Sequence, residues 1–314
     1  MSGASSSGWP PLPFGEWRDT GETLHLMTQV VGKVRLAQTP WLNHSWQTPL
    51  YVSPRGLTTG AIPHGARLLD IEFDLIDAAL KIRTDGPAAT VPLKAMPIAD
   101  FYRQVMEALE AAGTPVAINR TPNEMAEAVP FDRDEAPRAF EPEQARRFWR
   151  ALVRADQGLK LFRTAFLGKA SPVHFFWGSF DLAVTRFSGR RAPPHPGGVP
   201  HLPDAVAREA YSHEVSSAGF WPGGPGLEEA VFYAYAYPEP PGFRDASVQP
   251  AAASFNTAFG EYVLPYEAVR TSPDPEATLM AFLETTYAAA ADAGKWDRDA
   301  LECGFGQPGV VRPV

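Results

Sequence analysis

The segment from residue 171 to residue 191, SPVHFFWGSFDLAVTRFSGRR, constrains the fold more than any other part of this chain. Its alternating pattern predicts a β-strand from Phe175 to Phe187 with bulky apolar side chains on both faces, which is typical of a central, buried strand. One face would carry Phe175, Trp177 and Asp181. Aromatic side chains around a few placed polar groups are typical of a ligand pocket, so we predict that this strand lines one.

The carboxylate of Asp181 requires a partner if this strand is buried. We expect Asp181 to pair with Arg186 or with a histidine, because an unpaired ionised carboxylate is costly in an apolar environment. Strict alternation places Arg186 on the opposite face of the strand from Asp181. A direct contact between the two side chains would therefore need a β-bulge or a twist before Arg186, and without one the partner would be a histidine or backbone amides.

The elements around this strand repeat an order that occurs earlier in the chain. A helix predicted at 24–36 is followed by Pro, His and Trp within residues 40–46, and a longer helix predicted at 141–169 is followed by the same residue types within residues 172–177. Each half then continues with alternating strands and ends with a helix. We therefore predict an α+β fold built from a duplicated helix–antiparallel strands–helix unit, with its halves related by a pseudo-twofold axis. Chance similarity of two generic α+β stretches is the alternative.

This repeat divides the chain into five predicted regions. They are a disordered N-terminus (1–8), a first α+β half (9–118), a linker (119–141), a second α+β half (142–301) and a C-terminal tail (302–314). The linker is polar, acidic and contains proline, as connecting segments do. The segment 190–203 is rich in Pro and Gly, and it could be a lid over a site or an ordinary surface loop.

Composition excludes several classes of protein. The net charge of −8 argues against nucleic acid as a partner, because phosphate binding needs basic clusters. No apolar run reaches the roughly 18 residues that a membrane span needs, and the N-terminus has neither the basic start nor the apolar core of a signal peptide. The single cysteine, Cys303, excludes an intramolecular disulfide and a cysteine metal cluster, and it fits a reducing cytoplasm.

The candidate catalytic residues follow from the predicted strand and from the segment after it. His174 or His213 would be the general base, because an imidazole accepts protons near neutral pH. Arg186 would hold an anionic group of the substrate, and Asp181 would orient a histidine or the arginine. Glu214 would act beside His213 at the end of a short helix predicted at 205–215.

The candidate ligand-binding residues are mostly aromatic and come from several segments. They are His44, Trp46, Phe175, Trp177, Tyr211 and Trp221. If the protein holds a metal, the ligand set would be His44, His174, His213 and Glu214, which suits Zn or Fe. The chain has no P-loop and no strand-linked Gly-x-Gly-x-x-Gly motif, so no nucleotide cofactor is expected. A histidine in such a sequence is also commonly a structural residue.

Three functional hypotheses follow from these residues. The first is an enzyme that acts on a small organic molecule in an aromatic-lined cleft, with histidine as acid–base or metal ligand. The second is a non-catalytic protein that binds a small molecule in the same cleft. The third is a structural or partner-binding protein in which the tryptophans are interface anchors.

Three long segments resemble a bacterial family of unknown function. They are WPPLPFGEWRDTGETLHLMTQVVGKVRLAQTPWLNHSW, SPVHFFWGSFDLAVTRFSGRRAPP and EAYSHEVSSAGFWPGG, and the resemblance extends over residues 9–301. It implies a free-standing bacterial protein rather than a module of a larger one. It implies no activity, substrate or cofactor.

Overall fold

The chain begins with a long helix that is buried on nearly all sides. The computed structural model describes residues 8–312, and its first helix, α1 (Phe14–Gln38), starts directly after Pro13. Leu24, Met27 and Val31 are fully buried together with polar residues of the same helix. Residues 23–34 are buried apart from the half-buried His25, so this part of α1 lies inside the protein, where it packs against α2, α3 and β3. Of the predicted disordered N-terminus, residues 1–8, the first seven lie outside the described part, and the carbonyl of Gly8 accepts a hydrogen bond from Arg154 (3.2 Å).

The first half folds into α1, an antiparallel sheet and a second helix. The strands are β1 (Tyr51–Val52), β2 (Gly56–Thr58), β3 (Ile62–His64), β4 (Arg67–Asp74), β5 (Ala79–Thr84) and β6 (Ala89–Pro92). They pair in the order β1-β2-β4-β5-β6, and β3 pairs with β4. Helix α2 (Ile98–Ala111) buries Phe101, Val105 and Leu109, as its spacing predicts.

The second half also contains helices and a six-stranded antiparallel sheet, and its strands are longer on average. Helix α3 (Pro142–Thr164) precedes the strands β7 (His174–Phe176), β8 (Asp181–Arg191), β9 (His213–Trp221), β10 (Val231–Tyr237), β11 (Ser254–Asn256) and β12 (Glu261–Pro265). These strands are antiparallel in the order β7-β8-β9-β10-β12-β11. The remaining helices are α4 (Asp204–Ala210), α5 (Tyr266–Arg270), α6 (Pro275–Ala293) and α7 (Arg298–Leu301).

The prediction of one strand from Phe175 to Phe187 is wrong, because this segment forms the hairpin β7–β8. Residues 177–180 make a tight turn, which is closed by a hydrogen bond from the Phe180 amide to the Phe176 carbonyl (2.8 Å). Phe180 adopts a left-handed conformation (φ 62°) and stays buried. The apolar alternation continues through the turn residues, so the pattern alone does not reveal the reversal.

The helix predicted at 205–215 is also shorter than expected. Helix α4 ends at Ala210, and His213 and Glu214 open strand β9 instead. The two side chains therefore point to opposite faces of the second sheet, since successive strand residues alternate.

The two sheets meet edge to edge where their first strands lie side by side. Leu50, just before β1, and Phe175 on β7 exchange two backbone hydrogen bonds of 2.9 Å. Buried side chains from both halves belong to one continuous core. The α+β class and the helix–strands–helix order of each half are confirmed, and the pseudo-twofold duplication stays a prediction. Within residues 8–312 no helix is long and apolar enough to cross a membrane.

Candidate functional site

The second sheet has two faces of different character. One face packs Leu182, Phe220 and Phe232 into the core, and α3 and α6 cover it. We call the opposite side the polar face. Its residues, which follow from the strand register, are Asp181, Ala183, Thr185 and Phe187 on β8, Val215, Ser217 and Gly219 on β9, and Tyr233, Tyr235 and Tyr237 on β10.

A lysine–histidine pair lies at one end of the polar face. The ammonium nitrogen Nζ of Lys169 is 2.6 Å from Nε2 of His44, and the backbone of Lys169 accepts a hydrogen bond from the Phe187 amide (3.0 Å). Nδ1 of His44 donates to the carbonyl oxygen of Ala210 (2.8 Å). Since Nδ1 carries the proton, Nε2 presents its lone pair to Lys169.

The backbone around His44 is strained and is held by α4. His44 and Ser45 both have positive φ, 60° and 58°, which is uncommon for residues other than glycine. The His44 amide donates to the carboxylate of Glu209 (2.8 Å), so Glu209 and Ala210 together fix this turn. Strained residues of this kind cluster at functional sites, because the surrounding contacts must compensate for them.

Aromatic rings surround the lysine–histidine pair. The Nζ of Lys169 lies 5.1 Å from the ring centre of Trp46 and 4.9 Å from that of Phe187, and the ring of His213 lies 6.0 Å from that of His44. Desolvation by burial lowers the pKa of His44, and it also lowers the pKa of Lys169. Lys169 has no carboxylate within salt-bridge distance among residues 8–312.

A row of tyrosines continues the polar face away from this pair. The hydroxyl groups of Tyr211 and Tyr235 are 2.8 Å apart. The ring of His195 stacks on Tyr211 with centres 4.7 Å apart and lies 5.2 Å from Tyr237. His195 belongs to the irregular segment 190–203, so this segment covers part of the polar face. Tyr211, a predicted ligand-binding residue, lies between α4 and β9, and its ring reaches the polar face.

Carboxyl groups occupy the other end of the polar face. Asp181 is buried and accepts hydrogen bonds from the hydroxyl groups of Ser179 and Tyr233. Desolvation raises the pKa of Asp181 above its ordinary value despite these bonds. Burial also raises the pKa of Glu124 and of Glu261 to about 7, with a further contribution from the charge of Asp181.

Glu124 reaches this end of the face from the predicted linker. Its amide donates to the carbonyl of Pro200 (2.8 Å), and its carboxylate lies against Gly178, where a Cβ atom would overlap it. The preceding residue, Asn123, is anchored to Gln29 on α1 by two hydrogen bonds of 2.7 and 2.9 Å. Glu124 is exposed when the whole residue is considered, but its carboxyl end is enclosed against Gly178 and forms no ion pair among the described residues.

His174 is the most enclosed histidine of the site. It is 1% exposed, and neither ring nitrogen has a hydrogen-bond partner within the described part of the chain. Rings of Trp46, Tyr51 and Phe176 surround it at 5.5 to 5.9 Å between centres. Burial lowers the pKa of His174 to about 3, so the ring is neutral at physiological pH.

Two residues of the predicted catalytic set lie away from the polar face. Arg186 points into the core, where its guanidinium group lies 3.5 Å from the ring centre of Phe162 and 4.4 Å from that of Tyr287. Alternation therefore holds from Asp181 to Arg186, the irregularity in β8 comes only after Phe187, and the buried Arg186 does not reach the polar face. Glu214 forms a salt bridge with Arg190 (2.6 Å) on the sheet's other side.

Three of the aromatic residues predicted to bind a ligand lie away from the lysine–histidine pair. Phe175 is fully buried in the core, and Trp177 packs on Gly32 of α1 while its Nε1 donates to the Thr48 carbonyl (3.0 Å). Trp221 lies at the far end of β9 against Phe259. These positions follow from the turn at residues 177–180 and from the length of β9, neither of which the alternation predicts.

The proposed metal ligands do not form a metal site. His44, His174 and His213 lie near one another around Trp46, but Glu214 points to the opposite face of β9. Throughout residues 8–312, no group of three or more His, Cys, Asp or Glu side chains is arranged to hold a metal ion.

Several residues of the site were not predicted from the sequence. Lys169 is the last residue of the helix predicted at 141–169, and Glu124 belongs to the predicted linker, so neither position indicates a site. The tyrosines of β10 alternate in VFYAYAY, so their common face was predictable from period two. Their proximity to Asp181 was not, because it depends on the pairing of β8, β9 and β10.

Comparison with known proteins gives a family without a function. Residues 9–303 match the model of a family of unknown function (DUF5996). The chain belongs to this family. No curated protein and no solved structure matches the chain significantly. The assignment confirms the resemblance expected from the sequence, and it provides no activity that could be transferred to the family member described here.

Proposed function

We propose that this member of the family is an enzyme that acts on a small organic molecule bound on the polar face, with Lys169 and His44 at the reacting end. The observation that carries this proposal is the contact of 2.6 Å between Lys169 Nζ and His44 Nε2. A polar side chain next to a base that a third group orients is the usual arrangement of a catalytic pair. Here the carbonyl of Ala210 orients His44.

The rest of the polar face supplies groups that would bind and orient the molecule. The rings of Trp46 and Phe187 form apolar walls beside Lys169, and the Tyr211 and Tyr235 hydroxyl groups provide hydrogen-bonding positions. Perturbed pKa values are typical of functional sites, and Glu124, with a pKa of about 7, would exchange protons near neutral pH.

A screen with untargeted detection tests this proposal. The purified protein is incubated with a metabolite extract, and new or depleted compounds are measured by mass spectrometry. We expect turnover by the wild type, and a loss of at least about 100-fold in K169M and in H44Q, since positioned acid–base groups contribute factors of this size. K94M, which removes an exposed lysine, is the matched control. Turnover that survives in both K169M and H44Q would refute the assignment.

A non-catalytic binding protein is the second candidate. The tyrosine row and the cover formed by His195 favour it, because aromatic faces recognise small molecules without reacting with them. Saturable binding in the same extract, with every compound recovered unchanged, would support this candidate over the enzyme.

Location and partners also remain part of the proposal. A cytoplasmic bacterial protein fits the single cysteine, and the net charge of −8 fits a protein that does not bind nucleic acid. Both properties are read from the sequence, so these two proposals do not depend on the polar face.

A further inference from the structure

We propose that Lys169 is a nucleophile that forms an imine with a carbonyl compound, so that the substrate class of this enzyme is an aldehyde or a ketone. The proposal rests on the proposed function, and it specifies the reaction at the same site. Lys169 is suited to this role because its amine is solvent-accessible, has no carboxylate partner among the described residues and is positioned by His44.

The surroundings of Lys169 favour an amine nucleophile over a structural cation. A structural lysine forms a salt bridge, as Lys81 does with Asp74 and Asp77. Lys169 instead lies between Trp46 and Phe187, and its hydrogen-bond partner is a neutral imidazole. The charge of Glu209 acts on Lys169, but the Glu209 carboxylate accepts its hydrogen bond from the His44 amide (2.8 Å).

His44 can move the protons that imine formation requires. The ammonium group of Lys169 first loses a proton to solvent, and the neutral amine attacks the carbonyl carbon. Nε2 of His44 accepts the two amine protons one after the other and returns each of them to the oxygen. The oxygen leaves as water with both amine hydrogens, so a C=N bond replaces the C=O bond and no oxidant or reductant is consumed. The hydrogen bond from Nδ1 to the Ala210 carbonyl keeps His44 in the tautomer that this transfer needs.

Reductive trapping tests this proposal on the intact protein. Benzaldehyde and cyanoborohydride are added at pH 7, and the modified lysines are located by peptide mass spectrometry. The aldehyde is aromatic because Trp46 and Phe187 flank the amine. We expect Lys169 to be modified at least about tenfold faster than the exposed Lys94 and Lys295, since a positioned proton acceptor such as His44 accelerates a reaction by at least such a factor and neither of the other lysines has one within residues 8–312.

The variant H44Q separates a positioned nucleophile from a merely accessible one. We expect H44Q to bring the rate at Lys169 down to that of Lys94, while the rate at Lys94 stays unchanged. Equal rates at all three lysines in the wild type would overturn the imine proposal without any variant. If Lys169 is not trapped but K169M still abolishes turnover of a metabolite, the imine role fails and the proposed enzyme stands. If Lys169 is trapped but no metabolite is turned over, Lys169 is a reactive amine and the proposed enzyme fails.

Discussion

The hydroxyl group of Tyr233 on β10 reaches across β9 to the carboxylate of Asp181 on β8, and glycine at position 219 makes this contact sterically feasible. A Cβ atom at position 219 would overlap the Tyr233 hydroxyl. Three strands thus cooperate to satisfy one buried carboxylate, and neither Arg186 nor a histidine takes part, contrary to expectation. The bond links the acidic end of the polar face to its tyrosine row.

We predict that Gly219→Ala destabilises the protein more than Tyr233→Phe does. Tyr233→Phe removes the hydrogen bond to Asp181 and should lower the free energy of unfolding by about 1.5–3 kcal/mol, the range for a hydrogen bond to a charged group. Gly219→Ala should cost more, because its Cβ atom would overlap the backbone carbonyl of Leu182 and the Tyr233 ring as well as the hydroxyl group. Urea denaturation of the two single variants and of the double variant measures this, and the loss in the double variant should be smaller than the sum, because both substitutions remove the same hydrogen bond. A G219A variant as stable as Y233F would show that the Leu182 carbonyl makes room for the Cβ atom.

Glu124→Gln should remove a dependence of stability on pH. The pKa of Glu124 is about 7 in the folded protein and 4.5 as its ordinary value. Between these pH values the unfolded chain has released a proton that the folded chain still holds, so wild-type stability falls as pH rises from about 4.5 to about 7. The gain in melting temperature of E124Q over the wild type should therefore grow across this window and then level off.

The matched control for this prediction is Glu228→Gln on an exposed loop. This variant measures what the same exchange does at an exposed position. A difference between E124Q and the wild type that stays constant with pH would mean that the Glu124 carboxyl group is not desolvated in the folded protein.

His174→Phe should stabilise the protein, most strongly in acid. The pKa of His174 falls from 6.5 to about 3 on folding, so below pH 6.5 the unfolded chain binds a proton that the folded chain excludes. Stability of the wild type consequently falls as pH drops through this range. Phenylalanine fills a similar volume among Trp46 and Tyr51 and removes two unpartnered nitrogens, which cost about 1–3 kcal/mol when buried.

Denaturation of H174F and of the wild type at pH 7 and pH 5 measures this effect. His25 has a pKa lowered to about 4 by burial and remains in both proteins, so it contributes equally to both curves. A destabilised H174F at both pH values would indicate that the His174 nitrogens have partners in solution.

Arg186→Met should preserve binding on the polar face. The guanidinium group is buried beside Phe162, Phe166 and Tyr287, and burial lowers its pKa to about 10. An apolar side chain of similar length can replace a buried charge at little cost, so we expect the free energy of unfolding to change by less than about 2 kcal/mol. R186M should turn over any metabolite of the wild type at the wild-type rate, in contrast to K169M. Slower turnover by R186M would show that Arg186 contributes to the site.

The sequence by itself determined the class of the fold and the order of its elements. The helices at residues 98–111, 142–164 and 275–293 follow from apolar spacing, and β4, β5 and β10 follow from alternation. Such patterns depend on neighbours a few residues apart, so they can be recognised in one chain. The same local information predicted that Asp181 is buried and that Arg186 lies on the opposite face of its strand.

Only the tertiary structure decided which residues meet. Lys169 and His44 are 125 positions apart, and Tyr233 and Asp181 are 52 positions apart. Their contacts depend on the hairpin turn at 177–180, on the register of β8, β9 and β10, and on the edge-to-edge junction at Leu50 and Phe175. A shift of register by one residue would reverse every face, and nothing in the local alternation of a strand specifies its neighbour. The composition of the site was therefore partly visible in the sequence, whereas its reacting pair was not.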